Sequence, residues 1–293
     1  MGPGVTVALK RGAEEARHSP RLVLGLWSAG AAAGAVAAAP WTASWAHALR
    51  ASGAGYDLAR GFDLMLLGDL VRRAGPGIGA LRGWALGAGL AYLLLMAILQ
   101  GGAIRLLAVP RTQRSAALFG EACGKHAAAM AVFAGLSLAV AAACASFAGA
   151  LLRAAETVER GGVGSTAAAA LRLASVAGGV VLFAFLQIVL ELARLDRVTT
   201  GDAGWLLSLS MASRFAVRRP LRCLAIYAAA AAVSVAALGV GLALARAAGA
   251  LGSGWGVGVW AAAQFFLLVR WGARVGMWAG LGVAYGAIAW KAH

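Results

Sequence analysis

The chain has 293 residues, of which 61% are hydrophobic and only 13% charged, with a mean hydropathy of +0.80 and a net charge of +15. A soluble domain is about half apolar and about a quarter charged, so this composition excludes an ordinary water-soluble fold. The Lys and Arg residues are spread between apolar blocks and form no single basic patch, which argues against a nucleic-acid partner.

Six apolar runs are each long enough to cross a bilayer as a helix, which needs about 20 residues. A basic N-terminal segment precedes the first run, as in a cleavable signal peptide, but the length of that run favours a permanent span. We therefore predict an all-α integral membrane protein with six transmembrane helices in a single membrane domain over residues 1–293. The predicted spans are 22–41, 84–108, 127–152, 168–190, 223–245 and 257–288.

Two connections between the apolar runs are long, and each contains an amphipathic segment. The segments cover residues 56–73 and 204–219, and each places apolar side chains on one helical face. We predict two amphipathic helices in the membrane interface, and the alternative is that each packs on its own helix bundle. The apolar faces are formed by Leu58, Phe62, Met65 and Leu66 in the first segment and by Trp205, Leu209, Ala212 and Ala216 in the second.

The distribution of basic residues predicts the orientation of the chain. Lys and Arg are enriched near span ends on the cytoplasmic side of a membrane. With both termini cytoplasmic, the inner segments carry 15 Lys and Arg residues and the outer segments carry 9. Five of the nine lie in the first outer connection, 42–83, and long loops count for less. We therefore predict cytoplasmic N- and C-termini.

The order of long and short connections is the same in the two halves of the chain. With three spans in each half, the second half is inverted in the membrane, as in the 3+3 inverted repeats of transporters. Two short matches accompany this order, Asp57–Arg60 with Glu191–Arg194 and Leu70–Arg73 with Ala216–Arg219. Four-residue matches also arise by chance in an Ala- and Arg-rich chain, so both explanations stay open.

Two arginines, Arg270 and Arg274, lie inside the sixth apolar run and share a helical face at i, i+4 spacing. Arginine within a span costs a few kcal/mol and normally faces protein or water. Gln187 and Glu191 lie at a comparable depth near the end of the fourth run, so we predict an intramembrane polar cluster of these four residues. Glu191 would pair with Arg270 or Arg274. The alternative is that both arginines extend to the headgroups and contact lipid phosphate.

The remaining patterns predict no catalytic residue, metal site or cofactor. Residues 120–126 resemble a phosphate-binding loop, but the spacing is one residue short, no Ser or Thr follows Lys125 and no strand precedes it. Cys123 and His126 would supply only two of the three or four ligands that a metal site needs.

Three passages resemble a loose set of uncharacterised bacterial inner-membrane proteins with six spans. The passages are residues 119–126, residues 190–194 leading to 214–220, and residues 264–274. The resemblance implies the topology and a bacterial inner-membrane location. It implies no activity and assigns no role to any residue.

The scarcity of polar residues within the runs favours a non-enzymatic scaffold or accessory component of an envelope complex, whose partners are the lipid bilayer and other membrane subunits. The alternative is a transporter or permease subunit with a site near the arginine pair, which requires a polar cavity at mid-membrane. An enzyme acting on lipid would need converging His, Asp or Glu residues at the interface, which the pattern does not supply.

Overall fold

The computed structural model describes residues 4–52, 75–160, 165–201, 204–250 and 255–286. These residues form α-helices and one short 3-10 helix, and none of them is in a strand. This confirms the predicted all-α class for the described part of the chain. The helices in chain order are α1 (Val5–His18), α2 (Pro20–Ser52), α3 (Gly75–Ala108), the 3-10 helix Arg111–Gln113, α4 (Ala116–Arg160), α5 (Ser165–Thr200), α6 (Trp205–Arg218), α7 (Pro220–Ala250) and α8 (Trp255–Tyr285).

Within the described residues, five helices are long and apolar enough to cross a membrane. The helix α8, which covers most of the sixth apolar run, is not among the five. Five of the six predicted spans therefore have a matching helix of sufficient length and composition, and the sixth span stays a prediction. The five segments are Pro20–Pro40, Gly83–Ala108, Ala116–Thr157, Ala169–Thr200 and Pro220–Leu244.

Large apolar side chains remain exposed along all five of these helices. Water-soluble monomers rarely expose apolar surface on this scale, whereas helices that face lipid do so routinely. Length, composition and exposure together give the pattern of a membrane protein. Examples are Leu24 and Val36 on α2, Leu86 and Leu90 on α3, Val132 and Phe147 on α4, Leu173 and Val180 on α5, and Val235 and Leu242 on α7.

Two helices lie in regions that were not assigned to spans. The second predicted amphipathic segment forms α6, which confirms its helical conformation, while its location in the interface stays a prediction. The first segment, 56–73, lies outside the described residues, so the structure tests neither that helix nor the inverted repeat. Residues 5–18 form α1, a helix that was not predicted from the sequence.

The chain divides into two compact units, and each is described separately below. Unit 1 consists of Met1–Gly12, Ala97–Ala229 and Met277–His293, and unit 2 consists of Ala13–Met96 and Ala230–Gly276. The prediction of a single membrane domain is not tested by this division.

Two glycines in unit 1 lie at close helix contacts. A Cβ atom at Gly280 of α8 would lie 3.0 Å from the carbonyl oxygen of Ala8 in α1. A Cβ atom at Gly102 of α3 would lie 2.5 Å from the Cys123 Sγ and 2.8 Å from the Phe119 ring, both in α4. Glycine therefore allows the backbones of α1 and α3 to approach their neighbours closely.

In unit 2, small residues line the contact between α2 and α3. The Trp84 indole donates a hydrogen bond to the Ala37 carbonyl at 3.1 Å. Beside it lies an open apolar groove of about 390 Å³. Only Tyr92 among the lining residues has a polar side-chain atom. The groove is lined by Gly34, Ala37, Ala38, Ala85, Ala88, Gly89 and Tyr92.

Candidate functional site

The second half of α5 carries charged residues that are buried in unit 1. Glu191, Arg194 and Asp196 are 3%, 4% and 3% exposed, respectively. The fourth apolar run was predicted to end at residue 190, but the helix continues to Thr200. Leu, Ala, Glu and Arg, which make up most of this extension, all favour helix, so the charges do not interrupt it.

The Glu191 carboxylate accepts hydrogen bonds from side chains of three helices. The Gln100 Nε2 of α3 donates to Oε2 at 2.5 Å, and the Trp278 Nε1 of α8 donates to the same oxygen at 3.0 Å. The Arg194 Nη1, one turn further along α5, donates to Oε1 at 2.8 Å. Both oxygens of this buried carboxylate are therefore bonded.

Arg194 continues the network to a fourth helix. Its Nη2 donates to the carbonyl oxygen of Phe133 at 3.1 Å and to the Ser137 Oγ at 2.6 Å, both in α4. We call Gln100, Ser137, Glu191, Arg194 and Trp278 the Glu191 cluster. Through these five side chains, α5 is hydrogen-bonded to α3, α4 and α8 within unit 1.

The electrostatics of the Glu191 cluster favour a closed arrangement. The ion pair between Glu191 and Arg194 has side chains that are only 4% and 5% exposed. A buried charge is costly without a partner, and removal of one member of a buried pair typically costs about 3–5 kcal/mol. Gln100 is 4% and Trp278 is 0% exposed, so little of the cluster is open to a substrate.

A second polar contact links α5, α6 and α8 in unit 1. The Tyr285 hydroxyl donates to the Asp196 Oδ1 at 3.0 Å. The Tyr285 ring meets the Phe215 ring of α6 edge-to-face at 5.0 Å between centroids. The other oxygen of Asp196, Oδ2, has no hydrogen-bond partner among the described residues. This contact fixes α6 against the C-terminal end of α8.

Cys123 and His126, two residues of metal-ligand type within residues 120–126, lie at the contact between α3 and α4. Cys123 faces Gly102, and the His126 Cβ lies 3.4 Å from the position of a Cβ at Gly101. In the described part of the chain, no group of three or more His, Cys, Asp or Glu residues is arranged to hold a metal ion. Both side chains therefore contribute to helix packing.

The four predicted site residues fall in two places. Glu191 is buried in unit 1, and Gln187 is half-buried one turn earlier in α5. In unit 2, Arg270 is exposed and Arg274 is half-buried, with its guanidinium carbon 5.8 Å from the Trp271 ring centroid. The pairing of Glu191 with Arg270 or Arg274 joins residues of the two units and stays a prediction.

Four members of the Glu191 cluster were not predicted as site residues. Arg194 could have been found, because it follows Glu191 at i, i+3 spacing on the same helical face. Gln100 is the one amide side chain in the second apolar run, which is also a usable signal. Ser137 and Trp278 carry no such signal, because their role depends on which helices pack together.

The fold and the site define the chain as an all-helical protein, in its described residues, with five helices able to cross a membrane and a buried polar cluster that joins four helices. No model of a known protein family matches the chain, and no match is found among curated proteins or among solved structures.

Proposed function

We propose that the chain is a six-span protein of the bacterial cytoplasmic membrane that acts as a non-enzymatic scaffold or accessory component of an envelope complex. The observation that carries this proposal is the closure of the Glu191 cluster. Ionisable residues within spans normally mark a transport or reaction site. Here the carboxylate has both oxygens bonded and is 3% exposed, so its role is to hold helices together.

The distribution of charge supports the proposed placement in the membrane. With both termini cytoplasmic, the segments on the cytoplasmic side hold the larger share of Lys and Arg, including those on and beside α6. The other membrane subunits of the complex are the proposed partners, together with the lipid bilayer.

A transporter or permease subunit is the second candidate. The half-buried Arg274, with its guanidinium over the Trp271 ring, favours it, because a cation inside a span is typical of a substrate or ion pathway. A site near Arg270 and Arg274 would then bind an anionic solute. The predicted 3+3 inverted repeat would also support this candidate, because such repeats are typical of transporters.

Native mass spectrometry of the full chain, extracted from its own membrane in mild detergent, distinguishes the two candidates. The scaffold proposal expects the chain in a complex of fixed stoichiometry with other membrane proteins. It also expects the purified chain in proteoliposomes to give no current when solutes are added across a solid-supported membrane.

The outcome that contradicts the proposal is a chain free of other subunits that gives a solute-dependent current. If this current is lost in Arg274→Gln but kept in the control Arg246→Gln, the transporter candidate replaces the scaffold. Arg246 is a suitable control because it is an exposed arginine on a different helix, α7.

A further inference from the structure

The helix α6 has one buried face and one exposed face, and the two differ in chemistry. Its buried residues are Ser208, Ala212 and Ala216, and the helix packs against α5. The small size of these side chains allows the two helices to approach closely. Because this face is already covered by α5, the interactions that α6 makes beyond unit 1 must come from its opposite side.

The exposed side combines large apolar side chains with arginines. At about 100° per residue, six exposed residues fall within an arc of about 140°. Four of them are apolar and 48–66% exposed, and the other two are arginines. We call this surface the α6 outer face. It consists of Leu206, Leu207, Met211, Arg214, Val217 and Arg218.

The charge on this surface has one sign only. The α6 segment contains no Asp or Glu, and Arg214 and Arg218 are its only charged residues. Exposed arginines continue beyond the helix at Arg219, whose guanidinium carbon lies 5.7 Å from the Phe215 ring centroid. A partner that binds this surface therefore needs apolar groups for the four apolar side chains and a negative charge close beside them for the arginines.

The position of α6 in the chain places this surface at the membrane. The helix follows α5 after four residues and continues into α7 at Pro220, and both neighbours contain candidate spans. The Phe215 ring also contacts the Tyr285 ring of α8, so α6 packs on unit 1 through both α5 and α8. The boundary of the lipid bilayer, with acyl chains beneath phosphate groups, supplies both kinds of partner.

We propose that the α6 outer face is a binding surface for anionic phospholipid, with its four apolar side chains among the acyl chains and with Arg214 and Arg218 on the headgroup phosphates. Arginine forms bidentate hydrogen bonds with phosphate, which gives the contact specificity as well as attraction. Anionic lipid is abundant in the cytoplasmic leaflet, which is the side where the distribution of Lys and Arg predicts α6 to lie. The proposal rests on the membrane location of the chain and not on its scaffold role.

A titration of the full chain in neutral detergent micelles tests this surface. The two probes are short-chain phosphatidylglycerol and phosphatidylcholine with the same acyl chains, and bound lipid is counted by native mass spectrometry. We expect tighter binding of phosphatidylglycerol, and we expect the double variant R214Q/R218Q to lose about five-fold of this preference for each arginine removed. The preference should also weaken as salt is raised, because exposed charges are screened within about 10 Å at 0.1 M.

The matched control is R160Q/R246Q, which removes the same charge from exposed arginines on α4 and α7. An equal loss of preference in both double variants would overturn the proposal, because the effect would then be one of net charge. Glycerol phosphate, which has the headgroup chemistry but no acyl chains, should not compete at equal concentration. Full competition would assign the surface to free phosphate, and a complex with another protein that is lost only in R214Q/R218Q would assign it to a protein partner.

Discussion

Units 1 and 2 hold their helices together by different means. In unit 1, the Glu191 cluster joins four helices through side-chain hydrogen bonds, three of which end on one carboxylate. In unit 2, small residues at Gly34, Ala38, Ala85 and Gly89 face one another across an apolar groove. In lipid, the hydrophobic effect drives little helix association, so close packing and polar contacts must supply it. Unit 1 combines both of these solutions, because close helix contacts at Gly102 and Gly280 accompany its polar cluster. The groove between α2 and α3 in unit 2 depends on small residues.

The two solutions differ in what they specify. Small residues allow close approach at several registers, because one glycine or alanine resembles the next. A carboxylate that needs Gln100, Arg194 and Trp278 at the same time accepts only one register of the three helices. We therefore expect substitutions in the Glu191 cluster of unit 1 to act through lost partners and those at the small residues of unit 2 to act through volume.

The largest effect is expected for Arg194→Leu in unit 1. The substitution leaves Glu191 as a buried carboxylate without its cation, and we expect a loss of about 3–5 kcal/mol in the free energy of unfolding. Unfolding of the reconstituted protein by denaturant measures this loss. The control is Arg172→Leu, which breaks the exposed ion pair of Arg172 with Glu159 and should cost about 0–1 kcal/mol. Equal effects of the two variants would contradict the special status of the buried pair.

An intermediate effect is expected for Gly241→Leu in unit 2. A Cβ atom at Gly241 would lie 3.3 Å from the carbonyl oxygen of Ala262 on the neighbouring helix, so a larger side chain forces α7 and α8 apart. We expect a loss of about 1–3 kcal/mol, measured by the same unfolding experiment. Gly239→Leu is the matched control on the same helix, because a Cβ there meets nothing within 4 Å. Leucine favours helix more than glycine does, so the exchange itself should not destabilise α7. A loss at Gly239 as large as that at Gly241 would therefore contradict the explanation by packing against Ala262.

The smallest losses of stability are expected when one side-chain hydrogen bond is removed from each unit. Trp278→Phe in unit 1 keeps an aromatic ring and removes the N–H that donates to Glu191, and we expect a loss of about 0.6–1.7 kcal/mol. Trp84→Phe in unit 2 removes the N–H that donates to the Ala37 carbonyl at an exposed position, and it should cost less. Thermal unfolding in micelles ranks the two variants. A larger loss for Trp84→Phe than for Trp278→Phe would mean that the Glu191 carboxylate tolerates the loss of one hydrogen-bond donor.

The parts of the fold that follow from run length were predictable, because a span needs about 20 apolar residues wherever it lies in the chain. The helix bounds of α5 were not, because Arg194 and Asp196 look like residues of a polar connection until their buried partners are known. The helix α1 was missed because its basic residues indicate a flanking segment, whereas the close contact of Ala8 involves Gly280, which lies near the other end of the chain.

One residue of the candidate site was predictable from the sequence, and its partners depend mostly on how the helices pack. Glu191 was predictable because a carboxylate at the end of an apolar run needs a partner. Its observed partners on other helices, Gln100 and Trp278, are set by tertiary packing. Gln100 is marked in the sequence as the one amide in its apolar run, whereas Trp278 has no local signal. The pairing of Glu191 with Arg270 or Arg274 came from depth in the membrane alone, and it stays a prediction because it joins residues of the two units.

A double-mutant comparison at Glu191 and Arg194 tests the central claim most directly, namely that the Glu191 cluster, which is built around this pair, holds the helices of unit 1 together. The free energy of unfolding is measured for Arg194→Leu, for Glu191→Leu and for the variant that carries both substitutions. If the pair is structural, the double variant should be more stable than Arg194→Leu by about 2 kcal/mol, because no unpaired charge remains. Additive losses, with the double variant the least stable of the three, would contradict this account.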